Sequence, residues 1–237
     1  MTITCYFIGF NVQDTIAFTI NHYKQFCHRV VYFDNFSTDL SRDIALELGA
    51  DVRLFGKAGI LDDQAYLDIK LHCWKTDDSD LVIVCDDDEI LLHPPRASEA
   101  TIYKTQGYGM YSNDFPKERW TEIMSGVKDD QYSKLCIFNP KAVTDIGYVF
   151  GCHGYQTKPK GKLFWGSEVL PLLHYNRVGG VDRQLQRHRM YNEKEWGEAN
   201  KKYNLAHHYK ESEQHKRKYF AEQLAKCETL SFPGIGS

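Results

Sequence analysis

Ile3 to Phe10 is an apolar run of strand length, closed by Asn11. Ile16, Ile20, Tyr23 and Cys27 then recur at i, i+4, i+7 and i+11, which predicts an amphipathic helix with Asp14 near its start. Val30 to Phe33 reads as a second strand, closed by Asp34-Asn35. Leu40, Ile44 and Leu48 predict a second helix, with cap candidates in Ser37-Thr38-Asp39 and a stop at Gly49. Asp51 to Phe55 is a third strand. Tyr66, Ile69 and Cys73 mark a third helix starting near Asp62-Asp63, and Leu81 to Cys85 is a fourth strand. Strand and helix alternate throughout, so the expected fold class is α/β with a mostly parallel, Rossmann-like sheet and helices on both faces.

After Pro94-Pro95 the rhythm changes. Short strand-like pieces at 107–112, 134–138, 148–150 and 170–175 are separated by Gly, Pro and Asp, and read as antiparallel additions and long loops. From Glu193 to Cys227 the pattern turns helical and polar. Seven Lys or Arg stand against three Asp or Glu between Lys201 and Lys226, which reads as a solvated helical face or a surface for an anionic partner. No repeat or linker divides the 237 residues, so a single domain is expected. Its parts are a ligand-binding half at 1–95, a second half at 96–190 and a helical tail at 191–237.

Composition narrows the class only a little. A net charge of −3 lacks the basic footprint of a general nucleic-acid binder, so no nucleic-acid partner is expected. The seven cysteines form no C-x-x-C pair, and their odd number suggests free thiols in a reducing compartment. The N-terminus has no basic stretch ahead of its apolar run, and no apolar run approaches membrane-spanning length. A soluble, cytoplasmic protein with no transmembrane segment is expected. Neither G-x-G-x-x-G nor G-x-x-x-x-G-K-[ST] is present, so metal and side chains must hold any phosphate.

The chemistry concentrates at Asp86-Asp87-Asp88-Glu89, directly after the fourth strand. Strand ends line the ligand crevice of an open α/β sheet. Carboxylates at i and i+2 of an extended segment point the same way, so Asp86 and Asp88 can share one divalent cation that clamps a diphosphate. A solvated acidic turn is the bland alternative. Asp34-Asn35 is either a contact to ribose or base, or a turn and cap. Asp62-Asp63 is a candidate N-cap, and Lys70 a candidate solvated lysine.

Three segments carry a resemblance: Ile8-Gly9-Phe10-Asn11 with Asp14 following, Asp34-Asn35-Phe36-Ser37-Thr38-Asp39, and Cys85-Asp86-Asp87-Asp88-Glu89-Ile90. In this order they resemble the GT-A glycosyltransferases, nearest the family-2-like group whose DXD motif reads D-x-D-E. The resemblance implies a GT-A fold and transfer of a sugar from a nucleotide-diphosphate sugar, a UDP-sugar, to a glycan or other hydroxyl acceptor. It implies Mn²⁺ (or Mg²⁺) held by Asp86, Asp88 and a late histidine, His174. It places Asn11, Asp14, Asp34, Asn35, Asp63 and Asp87 against the nucleotide, and Lys70 near its phosphates. The Q-x-x-R-W box of processive members is not matched, since Gln184-Leu-Gln-Arg187-His188 lacks the Trp, which favours transfer of a single sugar. The usual Glu-Asp base motif is absent too. Inversion needs a carboxylate to deprotonate the acceptor, and Asp114, Glu168 and Asp182 are candidates, with His153 a possible contact to sugar or acceptor. Trp120 and Trp165 are candidates for stacking on sugars or for core packing. The competing readings are a metal-dependent phosphohydrolase using Asp86-x-Asp88, and a non-catalytic nucleotide-sugar-binding module.

Overall fold

The computed structural model describes residues 1–96, 100–152 and 157–232. The first half follows the expected alternation: β1 (Ile3–Gly9), α1 (Ile16–Tyr23), β2 (Arg29–Asp34), α2 (Ser41–Glu47), β3 (Asp51–Leu54), a short β4 (Ile60–Leu61), α3 (Asp63–His72) and β5 (Leu81–Asp86). β3, β2, β1 and β5 lie side by side in parallel. The period-2 placement of side chains sorts each strand between two cores. Cys5, Phe7, Val30, Tyr32, Ile83 and Cys85 pack with Ile16 and Ile20 of α1 and Ala45 of α2 on one face. Tyr6, Ile8, Val31, Phe33, Val82 and Val84 pack with Ala65, Leu67 and Ile69 of α3 on the other. The mixed α/β architecture with a mostly parallel central sheet is therefore as expected.

The second half is built from β6 (Glu89–Leu91), β7 (Ile102–Ser112), β8 (Ser125–Lys128), β9 (Ile137–Phe138), β10 (Val143–Asp145), β11 (Lys160–Gly161) and β12 (Trp165–Val178). β9 runs antiparallel between β5 and β7, and β12 pairs with both β7 and β6. The expected strand at 148–150 does not form. Tyr148 instead buries its ring and donates its hydroxyl to the Leu135 carbonyl at 2.7 Å, and the nearby strand is β10. Of 134–138 only Ile137 and Phe138 are extended in the sheet.

The last part holds α4 (Gly180–Asn192), β13 (Glu195–Trp196), α5 (Glu198–Tyr203), α6 (Glu213–Leu224) and β14 (Glu228–Thr229). It differs from a plain helical tail in two ways. The helical stretch begins at Gly180, after a reversal at Gly179 and Gly180 whose φ values of 87° and 82° favour glycine. Its end also returns to the main sheet, with β14 beside β8, while β13 pairs with β4.

Candidate active site

Four hydrogen bonds from three elements pin the acidic turn after β5. The Asp87 amide donates to the Ile8 carbonyl of β1 at 3.0 Å, and the Asp88 carbonyl accepts from the Tyr175 amide of β12 at 2.8 Å. From α1, Thr19 donates to the Asp87 carbonyl at 2.5 Å and Tyr23 to the Glu89 carbonyl at 2.7 Å. The β6–β12 register sets His174 opposite Glu89, and so beside Asp88. The turn edges a cavity of about 560 Å³, whose lining includes Gly9, Asp63, Lys70, Asp86, Asp87, Asp88, Lys134, His174, Arg177 and Arg187.

Each acid of the turn has a different environment. Asp86 meets the Lys70 ammonium at 2.7 Å and that of Lys134 at 3.3 Å. Burial works against its ionisation, but the two lysines outweigh burial and hold the carboxyl down at about 2. Asp88 lies 3.2 Å from His174 Nε2 and 3.1 Å from an Arg187 guanidinium nitrogen. Burial opposes its charge as well, yet His174 and then Arg187 hold it well below the usual carboxylate range. Asp87 is the reverse case, because burial and then the adjacent Asp88 push its carboxyl up, and its Oδ2 is sealed without a hydrogen-bond partner. Glu89 turns back from the cavity, pairing with Lys134 and accepting the Asp86 amide.

The cavity's opposite wall comes from the end of β12 and the C-terminal helices. Gln184, Arg187, His188 and Tyr191 of α4 line it at the spacing of one helix face. His208, Tyr209, Glu211, His215, Lys216 and Tyr219 complete it. Several buried polar atoms without a partner converge on this space: Tyr66 Oη, His174 Nδ1, Asn176 Oδ1, Arg177 Nε, Gln184 Oε1 and His188 Nδ1. Buried polar groups are nearly always paired, so this concentration marks a place built for a polar ligand.

Of the sequence candidates, Asp63, Lys70, Asp86, Asp87, Asp88 and His174 meet in the cavity. Asp62 caps α3, accepting the Gln64 amide, which leaves Asp63 to face inward, where burial raises its carboxyl. Lys70 is no solvated lysine but one of the two cations on Asp86. Asn11, Asp14, Asp34 and Asn35 stand outside the lining. Asp34 is fully buried, accepting from the Ser37 amide and the Tyr32 hydroxyl. Asn35 accepts from Lys194 at 2.6 Å and donates to the Phe55 carbonyl. Asn11 accepts the Thr38 amide, while Ser37 and Ser41 accept the Asn11 and Val12 amides. The D-N-F-S-T-D stretch thus knits the β1 and β2 loops together. Asp14 pairs with Arg183.

The proposed bases also fall elsewhere. The Asp114 carbonyl accepts the Gly179 amide in a loop outside the lining, Glu168 pairs with Arg96, and Asp182 pairs with Arg217. His153 lies outside the described residues. Trp120 is core, stacked on Tyr175 with its indole donating to Thr19, whereas Trp165 is exposed. Lys134, Arg177 and Glu211 carry no local motif that would have singled them out. Arg187 was visible only as an incomplete Q-x-x-R-W match.

No protein-family model matches the chain, and no curated protein matches it. Solved structures align with part of it. Glucosyl-3-phosphoglycerate synthase from Mycobacterium tuberculosis, in complex with Mn²⁺ and UDP-glucose, is 18% identical over 46% of this chain and 43% of its own, with a TM-score of 0.31. The same enzyme with Mg²⁺ and UDP gives 17% identity, the same coverages and a TM-score of 0.32. A mycobacterial protein gives 19% identity over 46% of this chain and 41% of its own, with a TM-score of 0.34. This chain spans less than half the length of these structures, and likenesses so partial carry no argument about its chemistry.

Proposed function

We propose that the chain is a metal-dependent glycosyltransferase that moves one sugar from a UDP-sugar to a hydroxyl of a glycan or other acceptor, with inversion. The observation that carries this reading is the meeting of Asp88 and His174 in a cavity at the strand ends. Their 3.2 Å separation suits neighbouring ligands on one ion with bonds of about 2.1 Å. Among the described residues no group of three or more His, Cys, Asp or Glu is placed to hold a metal ion, so the expected set of Asp86, Asp88 and His174 is reduced to Asp88 and His174, with Asp86 paired to Lys70 and Lys134. A two-residue site is what Mn²⁺ or Mg²⁺ uses when substrate phosphates and water supply the other ligands, and the imidazole favours Mn²⁺. A cation held by Asp88 and His174 would supply Lewis-acid stabilisation of the diphosphate leaving group.

The chain's own residues do the rest. Lys70 and Lys134 lock Asp86 as a fixed, ionised acceptor for donor hydroxyls. Arg187 holds Asp88 and adds positive charge where the leaving group becomes negative. Leu61, Tyr66 and Leu67 offer a flat apolar corner for the nucleobase, with Asp63 as its hydrogen-bonding acid. For the acceptor proton Glu211 is favoured over Asp114 and Glu168, because it lines the cavity and is not tied to Lys70, Lys134 or Arg187. The seven free thiols fit a reducing compartment, the cytoplasm, and among the described residues no helix is long and apolar enough to cross a membrane.

The deciding measurement is UDP release from UDP-sugars with and without Mn²⁺. Release that needs the metal and disappears in Asp88→Ala supports the reading. Absence of any nucleotide-sugar binding with metal present overturns it.

A further inference from the structure

Most cations of the cavity are matched by acids. Lys70 and Lys134 sit on Asp86, and Arg187 on Asp88. Arg177 is different. Its guanidinium lies 5.4, 5.9 and 5.3 Å from the ring centres of Tyr111, Tyr132 and Tyr219, and donates to the Tyr132 hydroxyl. Its Nε is sealed from solvent with no acceptor, and among the described residues no carboxylate pairs with it.

Lys216 of α6 repeats the pattern. Its ammonium donates to the Tyr209 carbonyl at 2.7 Å and forms no ion pair among the described residues. Glu211 and Glu213 act on it only through space, and Glu213 is already paired with Arg189. His188 lines the same cavity with its Nδ1 buried and unpartnered. Burial first, and then positive charge led by Lys216, lower the pKa of His188 to about 3. Its imidazole is thus neutral near pH 7 and can donate one N–H.

A shielded guanidinium without a counter-charge is costly, and an anion would offset that cost. A planar fork with an ammonium and a neutral imidazole donor in one cavity is the chemistry that recognises an oxyanion. Tyr132 fixes where this lies. Its ring packs edge-on against His174, 4.3 Å between centres, and its hydroxyl accepts from Arg177. Arg177 therefore stands one aromatic ring away from the Asp88–His174 pair, and Lys216 lines the same cavity.

We infer that Arg177 and Lys216, with His188, form a second oxyanion subsite that holds a phosphate or carboxylate carried by the acceptor. The assignment to the acceptor rests on the glycosyltransferase reading, whereas the subsite itself does not.

Calorimetric titration of the full-length chain with inorganic phosphate, and separately with acetate, tests the subsite in the presence and absence of saturating UDP and Mn²⁺. At least one anion is expected to bind the UDP-loaded chain, the tighter of the two naming the acceptor's group. Arg177→Gln should weaken that binding at least tenfold, Arg177→Lys should recover part of it, and UDP affinity should stay within twofold. Displacement of the anion by UDP, failure of both anions to bind, or equal binding by Arg177→Gln overturns the subsite. Lys216→Met decides the matter if Arg177→Gln does not fold: weakening of threefold or more supports the subsite, and unchanged binding overturns it. Arg177-dependent anion binding by a chain that takes up no UDP would leave the subsite standing and bring down only the donor reading.

Discussion

The two walls of the cavity handle charge in opposite ways. At the strand ends, five charged side chains from α3, the β5–β6 turn, the β8–β9 connection and α4 neutralise one another: Asp86 with Lys70 and Lys134, and Asp88 with Arg187. On the wall carried by β12, α4 and α6, Arg177 and Lys216 face aromatic rings and a carbonyl instead. Matched charges are held in one geometry before any ligand arrives, which is the requirement for stabilising charge that develops during reaction. Unmatched charges gain their partner from what binds, which is the requirement for choosing a substrate. One wall is built for the leaving group and the other, Glu211 apart, for selection.

The hardest test of this division is Asp88→Ala. It should lower kcat/KM for sugar transfer by about a thousandfold, measured as UDP release, because it removes a metal ligand and the partner of Arg187. Retention of activity within tenfold would break the comparison at its first wall. Lys134→Met probes the pre-neutralised network without touching substrate. It leaves the fully buried Glu89, and Asp86, short of a cation, and should cost about 3 kcal/mol in urea denaturation. A cost below about 0.5 kcal/mol would mean that the network is not preorganised. Glu211→Gln should reduce kcat by about a hundredfold while donor affinity is unchanged, and a normal pH profile in this variant would move the base elsewhere.

The smallest expected effect comes from acid. The folded-state value near 3 for His188 lies below the ordinary value of 6.5. As pH falls below about 6.5 the unfolded chain takes up a proton that the folded chain refuses. Stability from this source is therefore present above about 6.5 and is lost between there and about 3. His188→Gln should flatten the fall of Tm across that window by about a few degrees relative to the native chain. An unaltered slope would mean that His188 contributes nothing to it.

The sequence showed the first wall far better than the second. The rhythm of apolar runs was enough to place β1, β2, β3 and β5, because β1, β2 and β5 are buried on both faces and all four are bounded by turn residues. The acidic run announced itself through four adjacent carboxylates at a strand end. Family resemblance put His174 on the metal with Asp88 and Lys70 near the phosphates, and the structure brings both side chains to the turn. Lys134, Arg177 and Lys216 were not legible, since what distinguishes them is who meets them across the cavity, and that is a tertiary fact. The D-N-F-S-T-D stretch taught the opposite lesson. Its polar residues suggested ligand contact, but Asp34 and Asn35 spend their hydrogen bonds on Ser37, Tyr32, Phe55 and Lys194. Short polar side chains serve loop knitting as readily as ligand binding, and composition does not separate the two.

The route of the chain after β12 bears on how such a protein diversifies. Most of the selective wall lies on one length, Gly180 to Leu224, clasped to the body by the β13–β4 pair partway along and by β14 beyond its end. A length held at two such points can be exchanged in part, by recombination or by a designer's graft, while β1, β5, their acidic turn, Arg187 and Glu211 stay as they are. Inheritance can then rewrite what the cavity accepts around a fixed chemistry.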